Sequence, residues 1–214
     1  KQKSTGNEGS RWLLNPQGGY DFNAMAFTPV LFLFGDKPEL LYPETKKHLI
    51  NNILTIEGAG FTRNVPYAGF QDSENHVLMA ESARYLKNQW LRANGNKSPE
   101  YDNKNNGVET GLKEYLEEIY NYGIYEFNSD PYLGYTYSSL LNLNAFATGE
   151  VKDLATKILD MINWQYALNS YKFKHFPPFR RLFKDTFSKE IVSDYHSVML
   201  MVWASLQNDS LKID

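Results

Sequence analysis

Cysteine is missing from all 214 residues, which removes disulfide frameworks, thiol nucleophiles, cysteine-rich zinc sites and iron–sulfur clusters together. The compartment stays open, because exported proteins can also lack cysteine. Long apolar runs are missing too. The longest, Ala24 to Phe34, is interrupted by Thr28 and Pro29 and is far too short to span a membrane. Neither sign of charge dominates: Lys+Arg is 22 against Asp+Glu 25, a formal net charge of −3, so general nucleic-acid electrostatics is not expected. Strand signals are scarce.

What remains is an ordinary globular composition, 42% hydrophobic and 22% charged. A chain of this length can bury a sizeable core without disulfides or structural metal, and residues 1–214 read as one domain or a piece of a larger one. No signal-peptide pattern is visible, and the start at Lys1 rather than Met leaves room for a removed leader or preceding region. The unusual quantity is aromatic content, 15% with Tyr 15, Phe 13 and Trp 4. Such density either lines sugar-binding clefts or fills an aromatic-rich core.

Helix signals are plentiful. Three segments are amphipathic with one wet face: Glu44–Ile56 (Leu49, Ile50, Ile53 and Leu54 inward), Val108–Tyr122 (Val108, Leu112, Tyr115, Leu116 and Ile119) and Glu150–Asn169 (Val151, Leu154, Ala155, Ile158 and Ile162). Four others are apolar nearly all round, which predicts burial all round: Phe22–Phe34, Ser73–Leu91, Tyr132–Ala147 and Tyr195–Leu206. Each of these four begins beside an aspartate suited to capping free N–H groups: Asp21, Asp72, Asp130 and Asp194. The aspartates recur at intervals of 51, 58 and 64 residues, about one helical hairpin each.

Buried helices alternating with half-exposed ones imply two layers, the inner helices parallel and the outer ones running back. The predicted fold class is therefore all-α, an incomplete α/α toroid of about three and a half helical hairpins. Six hairpins close such a ring, so the chain reads as an open arc or a fragment whose other hairpins lie elsewhere in the gene product. Irregular antiparallel helix packing is the alternative. The polar stretch 92–106 carries little sign of function. The long return loops 57–71 and 171–192 deliver the chain to the inner-helix N-termini, and function is expected at that rim.

Four stretches would meet there: Tyr20-Asp21-Phe22-Asn23, Asp72-Ser73-Glu74-Asn75-His76, Glu126 to Tyr132, and Ser193-Asp194-Tyr195-His196. The loop before the last adds Lys172, Lys174, His175, Arg180, Arg181 and Lys184, a basic strip that suits an anionic partner or is simply solvated. Zinc held by Glu74, His76, Asp194 and His196 is conceivable, but no tight His-x-x-x-His spacing supports it, and neither metal nor cofactor is assigned.

Asn75-His76 opening one buried helix, with Tyr132 opening the next 56 residues later, resembles the α/α-toroid polysaccharide lyases of the alginate-lyase and heparinase-II/III-like type. Ser73 to Met79, and Glu126-Phe127-Asn128-Ser129 running into Leu140-Leu141-Asn142-Leu143, are similar to uncharacterised bacterial toroid proteins; the likeness covers roughly residues 70–170. It implies β-elimination on a uronic-acid-containing glycan. Asn75 would neutralise the uronate, His76 would neutralise or act as base, and Tyr132 would act as base, acid or both, with a cation from Arg180 or Arg181. Asn128, Tyr135, His175, Tyr195 and His196 would line the substrate. The implied partner is a polysaccharide or oligosaccharide, with no nucleic acid and no membrane insertion, and a periplasmic or extracellular setting would suit it.

One position departs from the resemblance. The alginate-lyase pattern has an arginine shortly before its tyrosine, whereas this chain has Glu126, and an added carboxylate repels a uronate. That raises a second expectation, glycoside hydrolysis with Glu74 and Glu126 flanking the scissile bond. A third is a non-catalytic glycan-binding or scaffold arc. Every candidate also has a plainer reading. Glu74 is a good helix-dipole partner, Asn75 and His76 can be hydrogen-bonding groups between helices, and Tyr132, Tyr135 and Tyr137 can be wall aromatics.

Overall fold

The helices of the computed structural model, which describes residues 20–54, 74–129, 132–171, 174–176 and 178, follow the sequence pattern closely. In chain order they are α1 (Tyr20–Phe34), α2 (Pro43–His48), α3 (Glu74–Ala93), α4 (Val108–Tyr122), α5 (Tyr132–Phe146) and α6 (Gly149–Leu168). A two-residue antiparallel hairpin, Ser170–Tyr171 against Lys174–His175, follows α6. The described chain is all-α in character. The expected helix Tyr195–Leu206 lies outside the described residues, as do the cap aspartates Asp72, Asp130 and Asp194.

Local chemistry explains the boundaries. The Asn106 side chain accepts the Val108 N–H at 3.0 Å where α4 begins. Gly123, in the left-handed region at φ 84°, closes the same helix by donating to Ile119 O. The expected helix Glu44–Ile56 is shorter and divided: after α2, residues Leu49–Ile53 form a π-helical turn. Its wide i→i+5 bond, Leu54 N–H to Leu49 O, brings two leucines five residues apart onto one side, and both are buried.

Contacts at both ends set the helix directions. α1 and α3 meet at their starts through Asp21 and His76, while Gly35, just past α1, lies against Trp90 near the end of α3. α3 and α5 meet near their ends, where Gln89 donates to Phe146 O at 2.7 Å. α1 and α5 touch from Phe22–Tyr135 at one end to stacked Phe32–Phe146 at the other. The three are therefore parallel. α4 and α6 run back along them: Tyr115 of α4 donates to Glu74 O, and Tyr137 and Asn144 of α5 bond Asn163 and Thr156 of α6. Lys113 and Glu150 pair across the starts of α4 and α6. Because α1 and α5 touch each other as well as α3, the parallel helices make a triangle rather than a widely spaced arc.

The expectation of burial on every face needs one correction. α1 is apolar nearly all round, yet Phe27 and Leu33 are 40% and 50% exposed. α3 is the reverse: it is buried on nearly every side and feeds both hydrophobic clusters, but Glu81, Arg84, Lys87 and Asn88 are inside with it. The polar stretch 92–106 is tied down from α3. Asn88 donates to Asn103 Oδ1 and Asn103 donates to Tyr85 O, both at 2.8 Å.

Proline inside α1 creates a specific tie. Pro29 has no N–H, so Met25 O loses its usual i+4 donor. Asn142 of α5 supplies one instead, Nδ2 to Met25 O at 2.9 Å. Asn142→Ala should destabilise the protein by about 1–2 kcal/mol, the cost of leaving a helix carbonyl unpaired. In a chemical-denaturation cycle with Pro29→Ala, which restores the N–H, the penalty should shrink; an unchanged penalty would show that the carbonyl is not the reason.

Candidate functional site

The starts of α1, α3 and α5 lie at one end of the triangle, beside the ends of α4 and α6. There His76 Nδ1 stands 2.5 Å from Asp21 Oδ2, a short contact between helices 55 residues apart in sequence. The His76 side chain is 30% exposed and that of Asp21 only 7%. Phe22, next to Asp21, meets the imidazole edge-on at 5.3 Å and 89°. Two neighbouring residues of α1 thus hold one ring, by charge and by shape. Phe22 also packs edge-on against Tyr135 at 4.7 Å, and Tyr135 lies 6.3 Å from Tyr132. His76 and Tyr132 therefore belong to one aromatic cluster, linked through the rings of Phe22 and Tyr135.

Glu74, Asn75 and Glu126 are arranged differently. The Glu74 carboxylate accepts the backbone N–H of Tyr125 at 2.6 Å and of Glu126 at 3.3 Å, clamping the turn that leads to α5. Burial pushes its carboxyl up to about 7; the two N–H groups lower it, and the nearby Glu126 carboxylate raises it further. Glu126 is wholly buried and accepts the Ser129 hydroxyl at 2.7 Å. Asn75, next to Glu74 in α3, is wholly buried. Asn128 is buried in the left-handed region at φ 51°, a conformation asparagine tolerates, and its amide donates to Pro178 O at 3.1 Å. Glu74, Glu126 and Asn128 each hold this turn by a hydrogen bond.

Of the sequence-expected residues, the fold brings Glu74, Asn75, His76, Glu126, Asn128, Tyr132 and Tyr135 to one end. His175 is in the second strand of the short hairpin. Arg180, Arg181, Tyr195 and His196 lie outside the described residues, as does most of the basic strip. Among the described residues no group of three His, Asp or Glu side chains is placed to hold a metal ion, and no helix is long and apolar enough to cross a membrane.

Sequence reasoning missed two features. Asp21 reads as a helix cap, yet one of its carboxylate oxygens is committed to His76 across the bundle; nothing local signals that partner. The second is a set of exposed aromatics at the same end: Tyr122, Tyr125, Trp164 and Tyr171, from 61% to 88% exposed. They follow from the parallel course of α4 and α6, whose ends and following turns carry them. No protein-family model matches this chain, and no curated protein or solved structure matches it either.

Proposed function

We propose that this chain is a carbohydrate-active protein that cleaves a uronic-acid-containing glycan by β-elimination, on a helical-hairpin frame of the α/α-toroid type. The observation that carries this reading is the shared position of His76 and Tyr132 in one aromatic cluster at the helix starts. β-Elimination needs a base for the proton beside the uronate carboxylate and an acid for the departing sugar oxygen, and imidazole and phenol suit those tasks. Exposed Tyr and Trp at the same end supply faces on which sugar rings can stack. The frame is supported by the parallel inner helices with two helices returning outside them; the triangular contact makes it a tighter curl than an evenly spaced ring of six.

Asn75 takes a different role in this reading from the one the resemblance implies. Being wholly buried, it supports the start of α3 rather than touching substrate, so charge neutralisation falls to other donors.

Glycoside hydrolysis is the second reading, and one observation favours it: a carboxyl held near 7 suits a general acid. Against it, Glu74 is engaged by two backbone N–H groups and Glu126 is sealed in the interior. A non-catalytic glycan-binding arc would need only the exposed aromatics.

Ultraviolet absorbance of the product separates these readings on a panel of acidic and neutral glycans. Elimination creates an absorbing double bond, hydrolysis creates reducing ends alone, and a binding module creates neither. His76→Ala and Tyr132→Phe should each remove the absorbance signal with helical circular dichroism retained. Activity surviving in either variant excludes that side chain from the reaction.

A further inference from the structure

We propose that Asp21 is a positioning residue for His76: it keeps Nδ1 protonated and the ring fixed, so that Nε2 is the nitrogen that takes up and returns a proton. In its place in β-elimination this rests on the reading above; the tautomer does not.

An ionised carboxylate can only accept hydrogen bonds, so an imidazole nitrogen 2.5 Å from Asp21 Oδ2 must be the donor. Neutral imidazole carries one proton, and with Nδ1 holding it the lone pair is on Nε2. Asp21 is largely buried, which strengthens its hold on the N–H; His76 is nearly one-third exposed, which leaves the ring within reach of solvent. The edge-on contact with Phe22 restrains ring rotation. A helix cap would need none of this, and Asp21 and Phe22 are adjacent, so a single turn of α1 sets both charge and orientation.

In the elimination the C5–H bond breaks and its proton passes to Nε2. The electron pair forms the C4–C5 double bond, the C4–O4 bond breaks, and O4 receives a proton from the Tyr132 hydroxyl or from the imidazolium. The imidazolium formed on the way has its charge matched by Asp21. Other titratable groups at this end, among the described residues, include Glu74 on α3 itself, Glu126 and Tyr125 in the turn, Tyr115 and Tyr122 on α4, Tyr132 and Tyr135 on α5, and Tyr171 and His175 in the hairpin after α6. Of these, Asp21 is the group in hydrogen-bond contact with Nδ1.

The test uses the full chain labelled with nitrogen-15 and long-range proton–nitrogen spectra of its imidazoles. With His 4 in the sequence, the His76 signals are assigned by their loss in His76→Gln. Wild type should show neutral His76 protonated at Nδ1. In Asp21→Asn an amide faces Nδ1, so the proton should move to Nε2, and the titration midpoint should fall with the loss of the carboxylate. Turnover should then fall by about 10²–10⁴-fold, the scale of a wrong-tautomer defect, with KM little changed. Asp21→Glu should recover part of it. Wild-type His76 protonated at Nε2, or an unchanged tautomer and midpoint in Asp21→Asn, would overturn the proposal, as would full turnover despite a flipped tautomer. A flipped tautomer in a protein that forms no unsaturated sugar from any glycan would leave the Asp21–His76 pairing standing and defeat the elimination reading instead.

Discussion

Replacing Glu81 by alanine should cost the protein about 3–5 kcal/mol, because it removes a carboxylate paired with a buried guanidinium. Glu81 and Arg84 lie one turn apart on α3, with Oε2 and Nη1 3.3 Å apart and side chains only 2% and 7% exposed. Lys87, one turn further, is also buried and sits over the Tyr101 ring at 5.4 Å. Removing a carboxylate from this face leaves cations that water does not reach. A domain is stable by only about 5–15 kcal/mol, so one such change takes a large part of the total. The converse substitution separates charge from packing. Glu81→Leu combined with Arg84→Met removes both charges at similar volume and should be neutral or stabilising by about 1–4 kcal/mol. Urea midpoints at constant m-value measure both. A Glu81→Ala loss below about 1 kcal/mol would mean that Arg84 is solvated or balanced by another carboxylate.

The second large effect is on pH. Glu74 has a carboxyl raised from 4.5 to about 7 in the folded protein, first by burial and then by the charge of Glu126. Between those values the folded chain keeps a proton that the unfolded chain gives up. Stability from this group is therefore complete below about pH 4.5, declines as pH rises, and is lost above about pH 7. The span corresponds to on the order of 3 kcal/mol. Glu74→Gln keeps one acceptor for the turn N–H groups but cannot ionise, so its stability should not show this decline. The measurement is the difference between wild type and Glu74→Gln across the window. That difference cancels groups common to both, the Asp21–His76 pair included. Parallel profiles would show that Glu74 ionises freely in the folded state.

The same two sites show why the sequence was legible in some places and silent in others. The bounds of α4, α5 and α6 match the periodicity to within a residue or so, because capping groups and hydrophobic spacing act within one or two turns. The π-helical turn after α2 was not legible. It comes from seating Leu49 and Leu54 against the same neighbours, which is a packing requirement rather than a propensity. Glu81, Arg84 and Lys87 lie in a helix expected to be buried all round, but what matches their charges there is set by the surrounding chain.

For the site, the sequence alone placed Glu74, Asn75, His76, Glu126, Asn128, Tyr132 and Tyr135 at helix starts and the turns before them, since position along a helix is local information. It also determined the all-α class, through apolar spacing that repeats every three to four residues. Tertiary structure decided which of those side chains point inward and which are exposed. It buried Asn75 and Glu126, tied Glu74 to the turn, left one face of α1 uncovered, and set Asp21 against His76. Pairing across 55 residues depends on how whole helices pack, and that is settled by the sum of all their contacts rather than by any stretch of sequence near either residue.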